Sequence, residues 1–296
     1  MRIAILSRNK NLYSMRRLKQ EARKAGISCD FINPLECQLV IDKEYSRILV
    51  QMKTIPHYDV ILPRIGASIT EYGLLVVKHF EMMGMFAVNG SEAIAQSRDK
   101  MRCLQVLTQE DILVPATVLT RSTQGLRTAV EAVKGLPVVL KILKGTQGVG
   151  VMLVHTPISL GSVLDTLRTL DQDVIIQQFI VEGAGHDYRA FVVGDRVVAS
   201  MMRTAPQGEF RSNIHRGAKG QIVKLPPEHE ATAIRAAQVL GLQIAGVDLM
   251  ESNQGPMVIE VNSSPGFEGI EKATGINVAK SIIQHVKKVS RLHRKK

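Results

Sequence analysis

Residues 141–150 read KILKGTQGVG. Three glycines and two lysines in ten positions have the composition of a loop that holds phosphate. The GK[ST] ending of a P-loop is missing, however, and no helical periodicity follows. The flanks are apolar runs instead: PVVLKIL at 137–143 and VMLV at 151–154. Two strands separated only by a glycine-rich loop make a hairpin, not a strand-to-helix turn. Glycines let backbone N–H groups curl around a polyanion. Gly145, Gly148 and Gly150 could therefore fold over a triphosphate as a lid, while Lys141 on the preceding strand reaches a phosphate oxygen. The same residues also make a plain hairpin turn with a solvated lysine, and the loop alone does not decide between the two.

The 296 residues allow two domains or one large one, and 45% hydrophobic against 22% charged residues predicts a sizeable core. No apolar run approaches the roughly 20 residues that span a bilayer, and the apolar stretch of MRIAILSR is too short for a signal peptide. Cys29, Cys37 and Cys103 show no CxxC spacing, which fits free thiols in a reducing cytoplasm. The net charge of +11 draws the chain to polyanions. Part of it lies in the tail 291–296, RLHRKK, which reads as a solvated helix end.

Upstream, RIAIL at 2–6 and ISCDFI at 27–32 read as strands flanking a basic amphipathic helix at 14–25. This is a βαβ unit, so a parallel sheet is expected. Its first turn, SRNK at 7–10, has no GxGxxG, and the dinucleotide fingerprint is absent. A strand at 58–62, a helix at 70–83 and a short strand at 86–88 complete an α/β domain over residues 1–95. Residues 91–110 read as one helix capped by Ser91. Downstream, strands are expected at 173–180, 188–193 and 196–202, the last two joined at Gly194-Asp195. A helix at 228–240, a hairpin of 244–250 with 257–261, and a closing helix at 277–291 follow. This second part reads as α+β and mostly antiparallel.

That last hairpin carries the sharper signal. With Met250 paired to Val258, Asp248 lies opposite Glu260, and alternation puts Asn262 on the face of Glu260. Facing carboxylates repel unless something neutralises them, and a hard divalent cation does so. Val247, Leu249, Ile259 and Val261 form the apolar opposite face. Between 203 and 220 the segment RTAPQGEFRSNIHRGAKG gathers Arg203, Arg211, His215, Arg216 and Lys219 in what reads as a loop. Arginine there suits carboxylate or phosphate.

Together these motifs resemble the ATP-grasp superfamily: RDK at 98–100, PAT at 115–117, PVVLK at 137–141, the glycines of 145–150, QQFI at 177–180, and Asp248 with EVN at 260–262. Further stretches resemble its RimK-type α-L-glutamate ligases: ILSR at 5–8, LYS at 12–14, PRIG at 63–66, FRSN at 210–213, VNSSPG at 261–266 and GIEK at 269–272. The fold implied is an α/β N-terminal domain (1–95) plus an α+β ATP-grasp domain (96–296), whose subdomains, 96–175 and 176–296, clasp ATP between antiparallel sheets. The resemblance implies that Lys100 and Lys141 contact nucleotide phosphates, that Gln178, Phe179 and Ile180 read adenine, and that Asp187 lies near the ribose. It implies Arg211 near the γ-phosphate, and Asp248, Glu260 and Asn262 on two Mg²⁺ or Mn²⁺ ions. Relatives usually carry Glu where this chain has Gln178.

The activity implied is ligation through an acyl phosphate. ATP phosphorylates a carboxylate, and an amine displaces phosphate. Positioning and charge neutralisation do this work, without a protein nucleophile. Family members add L-glutamate to the C-terminus of a small-subunit ribosomal protein, and some build short glutamate chains. Arg203, Arg211 and Asn213 are the candidates for holding the acidic substrates. A cytoplasmic homo-oligomer, with a tetramer among the options, and no direct nucleic-acid readout are expected. Two alternatives stay open: a ligase of the same fold that glutamylates a small metabolite or cofactor precursor, and a ribosome- or RNA-binding factor that uses ATP as a switch.

Overall fold

A computed structural model describes residues 1–122, 124–143, 150–212 and 217–293. The N-terminal sheet begins with β1 (Arg2–Leu6), α1 (Tyr13–Lys24) and β2 (Ser28–Ile32), the expected βαβ unit. Strands β3 (Cys37–Val40), β4 (Arg47–Val50) and β5 (Lys53–Thr54) form a small antiparallel sheet that sequence patterning does not reveal. Then come β6 (Val60–Pro63), α2 (Thr70–Met82) and β7 (Phe86–Ala87). The main sheet has order β2-β1-β6-β7 and is parallel throughout.

The helix expected over 91–110 is two helices, α3 (Ser91–Arg98) and α4 (Lys100–Gln109). Asp99 between them is extended, and its carboxylate accepts from Arg102 N at 3.0 Å. An aspartate that can cap a new helix competes with continuing the old one. Ser91 is also not the cap expected of it: Gly90 precedes the helix, and Ser91 instead bonds Glu81 through N and Oγ. The break makes Lys100 the first residue of α4, and its Nζ donates to Leu143 O at 2.7 Å.

The next layer has β8 (Thr117–Thr120), α5 (Leu126–Ala132), β9 (Val138–Ile142), β10 (Val151–Val154), α6 (Pro157–Thr169) and β11 (Val174–Gln178), with antiparallel order β10-β9-β11-β8. Strands β9 and β10 pair Lys141 with Val151, so they are the two arms of a hairpin, as the sequence predicts. The final sheet comprises β12 (His186–Val193), β13 (Arg196–Thr204), β14 (Lys219–Ile222), then, after α7 (Pro227–Val239), β15 (Ile244–Met250) and β16 (Met257–Asn262). Its order is β14-β13-β12-β15-β16, antiparallel. Helices α8 (Glu268–Thr274) and α9 (Val278–His293) close the described chain, and residues 294–296 of the basic tail lie outside it.

The two ends of the chain share one core. Ile3, Ile5, Met15 and Leu18 pack with Phe191, Ile244, Phe267, Ile282 and Val286. Asn89, after β7, is 1% exposed and fixes the start of β15. Its Oδ1 accepts from Gln243 N (2.7 Å) and Ile244 N (2.9 Å), and its Nδ2 donates to Ile244 O (2.7 Å) and Ser263 O (2.9 Å). An amide has two donors and two lone pairs, so every bond it can make is made. Asn89→Ala is expected to lower unfolding free energy by at least about 3 kcal/mol, because buried backbone groups lose their partners. Urea denaturation checks this, and a loss below about 1 kcal/mol would contradict it.

Candidate functional site

The register of the final sheet assembles a buried charge ladder. Asp187 on β12 lies opposite Arg203 on β13, and Arg189, two residues along β12, lies opposite Asp248 on β15. Alternation puts 187 and 189 on one face. The Arg203 Nε donates to Asp187 Oδ1 at 2.7 Å, and its Nη2 bonds both Asp187 and, at 3.0 Å, Asp248. Arg189 Nη2 donates to Asp248 Oδ2 at 2.6 Å, and its Nε bonds the other oxygen. Asp187, Arg203 and Asp248 are all buried. Burial pushes the Asp248 carboxyl up, but Arg189 and Arg203 together outweigh it and hold it below the usual carboxylate range.

Three expectations are corrected here. Arg203 belongs to a strand, not to the basic loop, because β13 continues to Thr204. Its donors go to protein carboxylates, and a grip on an acidic substrate finds no support in this geometry. Second, Asp248 does lie opposite Glu260, but the charge on it is neutralised by two arginines and needs no cation for that purpose. Third, Met250 pairs with Met257, not Val258, because a β-bulge leaves Ile259 without a partner. Val258 therefore takes the core position with Val247, Leu249 and Val261, and Ile259 is only half-buried. Arg189 is a residue that sequence reading missed. Its signal was the alternation through 186–193, which puts it on the Asp187 face.

Glu260 is exposed, unlike Asp248, and has no hydrogen bond or ion pair among the described residues. Asn262 is half-buried, two positions along the strand. An exposed carboxylate beside an amide oxygen, with a second carboxylate across the ladder, fits a hard divalent cation. Asp248 Oδ2 takes donors from both arginines, but Oδ1 accepts only from Arg189 Nε and keeps a further lone pair. Among the described residues no group of three or more His, Cys, Asp or Glu forms a metal cluster, so any cation here would also draw on Asn262 and on non-protein oxygens.

Facing this edge are two ammonium groups. Burial lowers Lys100, while Glu260 and Asp99 pull it up. Burial likewise lowers half-buried Lys141 to about 8; Glu260 raises it, Lys100 lowers it, and Asp248 raises it. Gly150 ends the intervening loop at φ +71°, and a Cβ there would sit 2.2 Å from Ile142 Cγ1, so only glycine fits. Gly145 and Gly148 lie outside the described residues, as do Asn213, His215 and Arg216. Arg211 reaches this hairpin from the other side. It pairs with Glu209 at 2.7 Å, and its Nη1 donates to Val151 O at 3.2 Å. The bonds from Arg211 hold the Glu209 carboxyl down at about 2.

At the far end of β11, Gln178 N donates to Ala116 O at 2.8 Å, and its Oε1 accepts from Ala116 N at 3.3 Å. Ala116 needs only an acceptor oxygen, which Gln and Glu both supply, so this role survives the departure at 178. Phe179 is half-buried and Ile180 buried where the chain leaves β11. Burial pushes the Cys29 thiol up to about 11, and those of Cys37 and Cys103 up to about 12, so all three stay protonated near neutral pH. No helix among the described residues is long and apolar enough to cross a membrane.

A triphosphate laid on Lys141 should restore a proton to an ammonium that is half-neutral near pH 8. ATP binding at pH 8 is expected to take up about half a proton per site, and less at pH 7. Calorimetric titration in two buffers of different ionisation enthalpy reads this. Lys141→Arg, charged throughout, should show no uptake. No uptake by the unmodified protein at either pH would mean that Lys141 does not meet the nucleotide.

Two domain families match the chain: the RimK PreATP-grasp domain over residues 1–94 and the RimK-like ATP-grasp domain over 97–286. A probable alpha-L-glutamate ligase of Picosynechococcus sp. is 48% identical over 288 residues, covering 97% of this chain and 96% of its own. One from Vibrio vulnificus is 49% identical with the same coverage. Among solved structures, the fold is similar to that of a RimK domain protein ATP-grasp from Sphaerobacter thermophilus (TM-score 0.74, 23% identity, 96% and 99% of the two chains). It is also similar to that of the ATP-grasp ligase PsnB complexed with minimal precursor, Mg and ADP (TM-score 0.76, 16% identity, 98% of each chain). The β9–β10 hairpin, the Asp248–Glu260 pair and the full-length likeness agree: this chain belongs to the RimK-like ATP-grasp family.

Proposed function

We propose that the chain is an ATP-dependent α-L-glutamate ligase, with residues 1–95 as an N-terminal domain and 96–296 as the ATP-grasp domain. The observation that carries this reading is the convergence of Lys100, Lys141 and Glu260 beside the Asp248 pair. The relatives' names, probable alpha-L-glutamate ligase at 48–49% identity over nearly the whole chain, support the choice of glutamate. The Lys100 and Lys141 ammoniums hold phosphate oxygens as point charges. Gln178, Phe179 and Ile180 receive adenine, and Asp187 stands toward the ribose. Arg211, tied to the hairpin through Val151 O, approaches the γ-phosphate. Glu260 and Asn262, with Asp248 across the ladder, would hold Mg²⁺ or Mn²⁺, and two ions are proposed. When bound, the metal neutralises charge on the β- and γ-phosphates.

In the first step an acceptor carboxylate oxygen attacks the γ-phosphorus, and ADP leaves. In the second, the glutamate amine attacks the acyl carbon, phosphate leaves with the bonding electron pair, and the nitrogen loses a proton. No residue forms a covalent intermediate, so the protein contributes position and a prearranged electrostatic field. The acceptor we propose is the C-terminal carboxylate of a protein, with a small-subunit ribosomal protein as the first candidate. The ATP-grasp ligase PsnB was solved in complex with a precursor peptide, which favours a peptide over a small metabolite. The proposed setting is the cytoplasm, with a homo-oligomer as the working form.

Release of ADP with Mg²⁺ should require L-glutamate, and product masses should rise in glutamyl steps. Glu260→Ala should lower turnover by about 100-fold or more with little loss of stability, since Glu260 is exposed. Asp248→Ala should also destabilise the fold, because it leaves Arg189 without a carboxylate and Arg203 with Asp187 alone. ATP turnover indifferent to glutamate but stimulated by RNA would overturn this reading and favour a nucleotide switch.

A further inference from the structure

Two guanidinium groups next to the site have no counter-ion among the described residues. Arg64 follows β6 and is 9% exposed; Arg98 ends α3. The Arg64 Nη2 donates to Pro265 O, and the guanidinium lies 5.9 Å from the centre of the Phe267 ring. The Arg98 Nη2 donates to Ile65 O at 2.5 Å. Each guanidinium has five N–H donors, and each has this single acceptor among the described residues. The Nε atoms of both are buried without a partner, and so are the hydroxyls of Ser263 and Ser264, which immediately precede Pro265. Neither arginine is in an ion pair among the described residues. Glu260 acts on Arg98 only through its field. Burial, with Arg98 adding repulsion, lowers Arg64 to about 10.

Buried cations are ordinarily paired, because leaving one without an anion is costly. The arginines of the final sheet follow this rule: Arg203 and Arg189 meet Asp187 and Asp248. Arg64 meets Pro265, three residues beyond Asn262, and Arg98 meets Ile65, next to Arg64, while feeling the charge of Glu260. An anion lodged there stands beside the proposed metal edge. A carboxylate gripped by two guanidiniums is a poor nucleophile, since its charge is drawn into their bonds. The group that fits is therefore a carboxylate that does not react.

We propose that Arg64 and Arg98, assisted by the Ser263 and Ser264 hydroxyls, form the subsite for a non-reacting carboxylate of the incoming amino acid. This rests on the ligase reading above and supplies the basis of its preference for an acidic amino acid. The side-chain and α-carboxylates of glutamate share this chemistry, and the test separates them.

Steady-state kinetics would be run with Arg98→Gln, Arg64→Gln and the conservative Arg64→Lys. Each glutamine variant is expected to raise KM for L-glutamate about 10- to 100-fold, the loss of a charged hydrogen bond. KM for ATP should stay within about twofold, and Arg64→Lys should recover part of the effect. If the side-chain carboxylate is held, preference for glutamate over glutamine collapses in the variants. If the α-carboxylate is held, preference for glutamate over its α-amide collapses. Arg98→Gln, half-buried, remains informative if the Arg64 variants do not fold. Binding of L-glutamate to the ADP–Mg²⁺ complex, measured by calorimetry without turnover, gives an independent reading. Folded variants with unchanged glutamate KM, or with a raised acceptor KM instead, would overturn the subsite. An unmodified protein without glutamate-dependent turnover would overturn the ligase reading instead.

Discussion

The rest of the site depends on the buried contact between Asp248 and its two arginines. A carboxylate 3% exposed cannot stay ionised unless donors replace the water it has lost. Strands β12 and β13 supply those donors directly across the ladder, from Arg189 and Arg203. Removing one member of such a set costs about 3–5 kcal/mol, so it fixes strand register as firmly as the apolar face does. That register then determines what faces solvent. With Asp248 held inside and the bulge at Ile259, Glu260 turns outward, toward the lysines of the facing layer.

Contacts far apart in sequence position this edge. The bond from Lys100 to Leu143 O joins α4 to the end of β9, and Arg211 to Val151 O joins the segment after β13 to β10. Asn89 pins the start of β15 to the N-terminal sheet. Glu271 on α8 accepts from Tyr13 Oη at 2.7 Å and from Arg17 Nε at 3.1 Å, joining α1 to the C-terminal helices. Both strands of the β9–β10 hairpin are thereby anchored beside the charges of Lys100, Lys141 and Glu260.

Much of this was legible in the sequence, for identifiable reasons. Strand alternation has a period of two, so Asp248 and Glu260 could be placed opposite each other from their spacing around the 252–256 turn. Their register was right while Met250–Val258 was wrong, because a bulge inserts one residue without changing the apolar pattern. The hairpin nature of 141–150 followed from its two apolar flanks. The break at Asp99 was hidden, since helical periodicity runs through it and only a local cap competes. Arg203 was misplaced because a basic residue at a strand end reads like loop. Asn89, Arg189 and the unpaired Arg64 and Arg98 draw their meaning from partners 33 to 201 residues away, and no local pattern encodes those. The RDK and PRIG motifs marked the arginines without showing their missing counter-ion.

The most direct test of the account is a crystal structure with a non-hydrolysable ATP analogue and Mn²⁺, located by its anomalous signal. The account predicts manganese on Glu260 and Asn262, phosphates against Lys100 and Lys141, and the base beside residues 178–180. Nucleotide bound elsewhere, or manganese with no contact to Glu260, would contradict it.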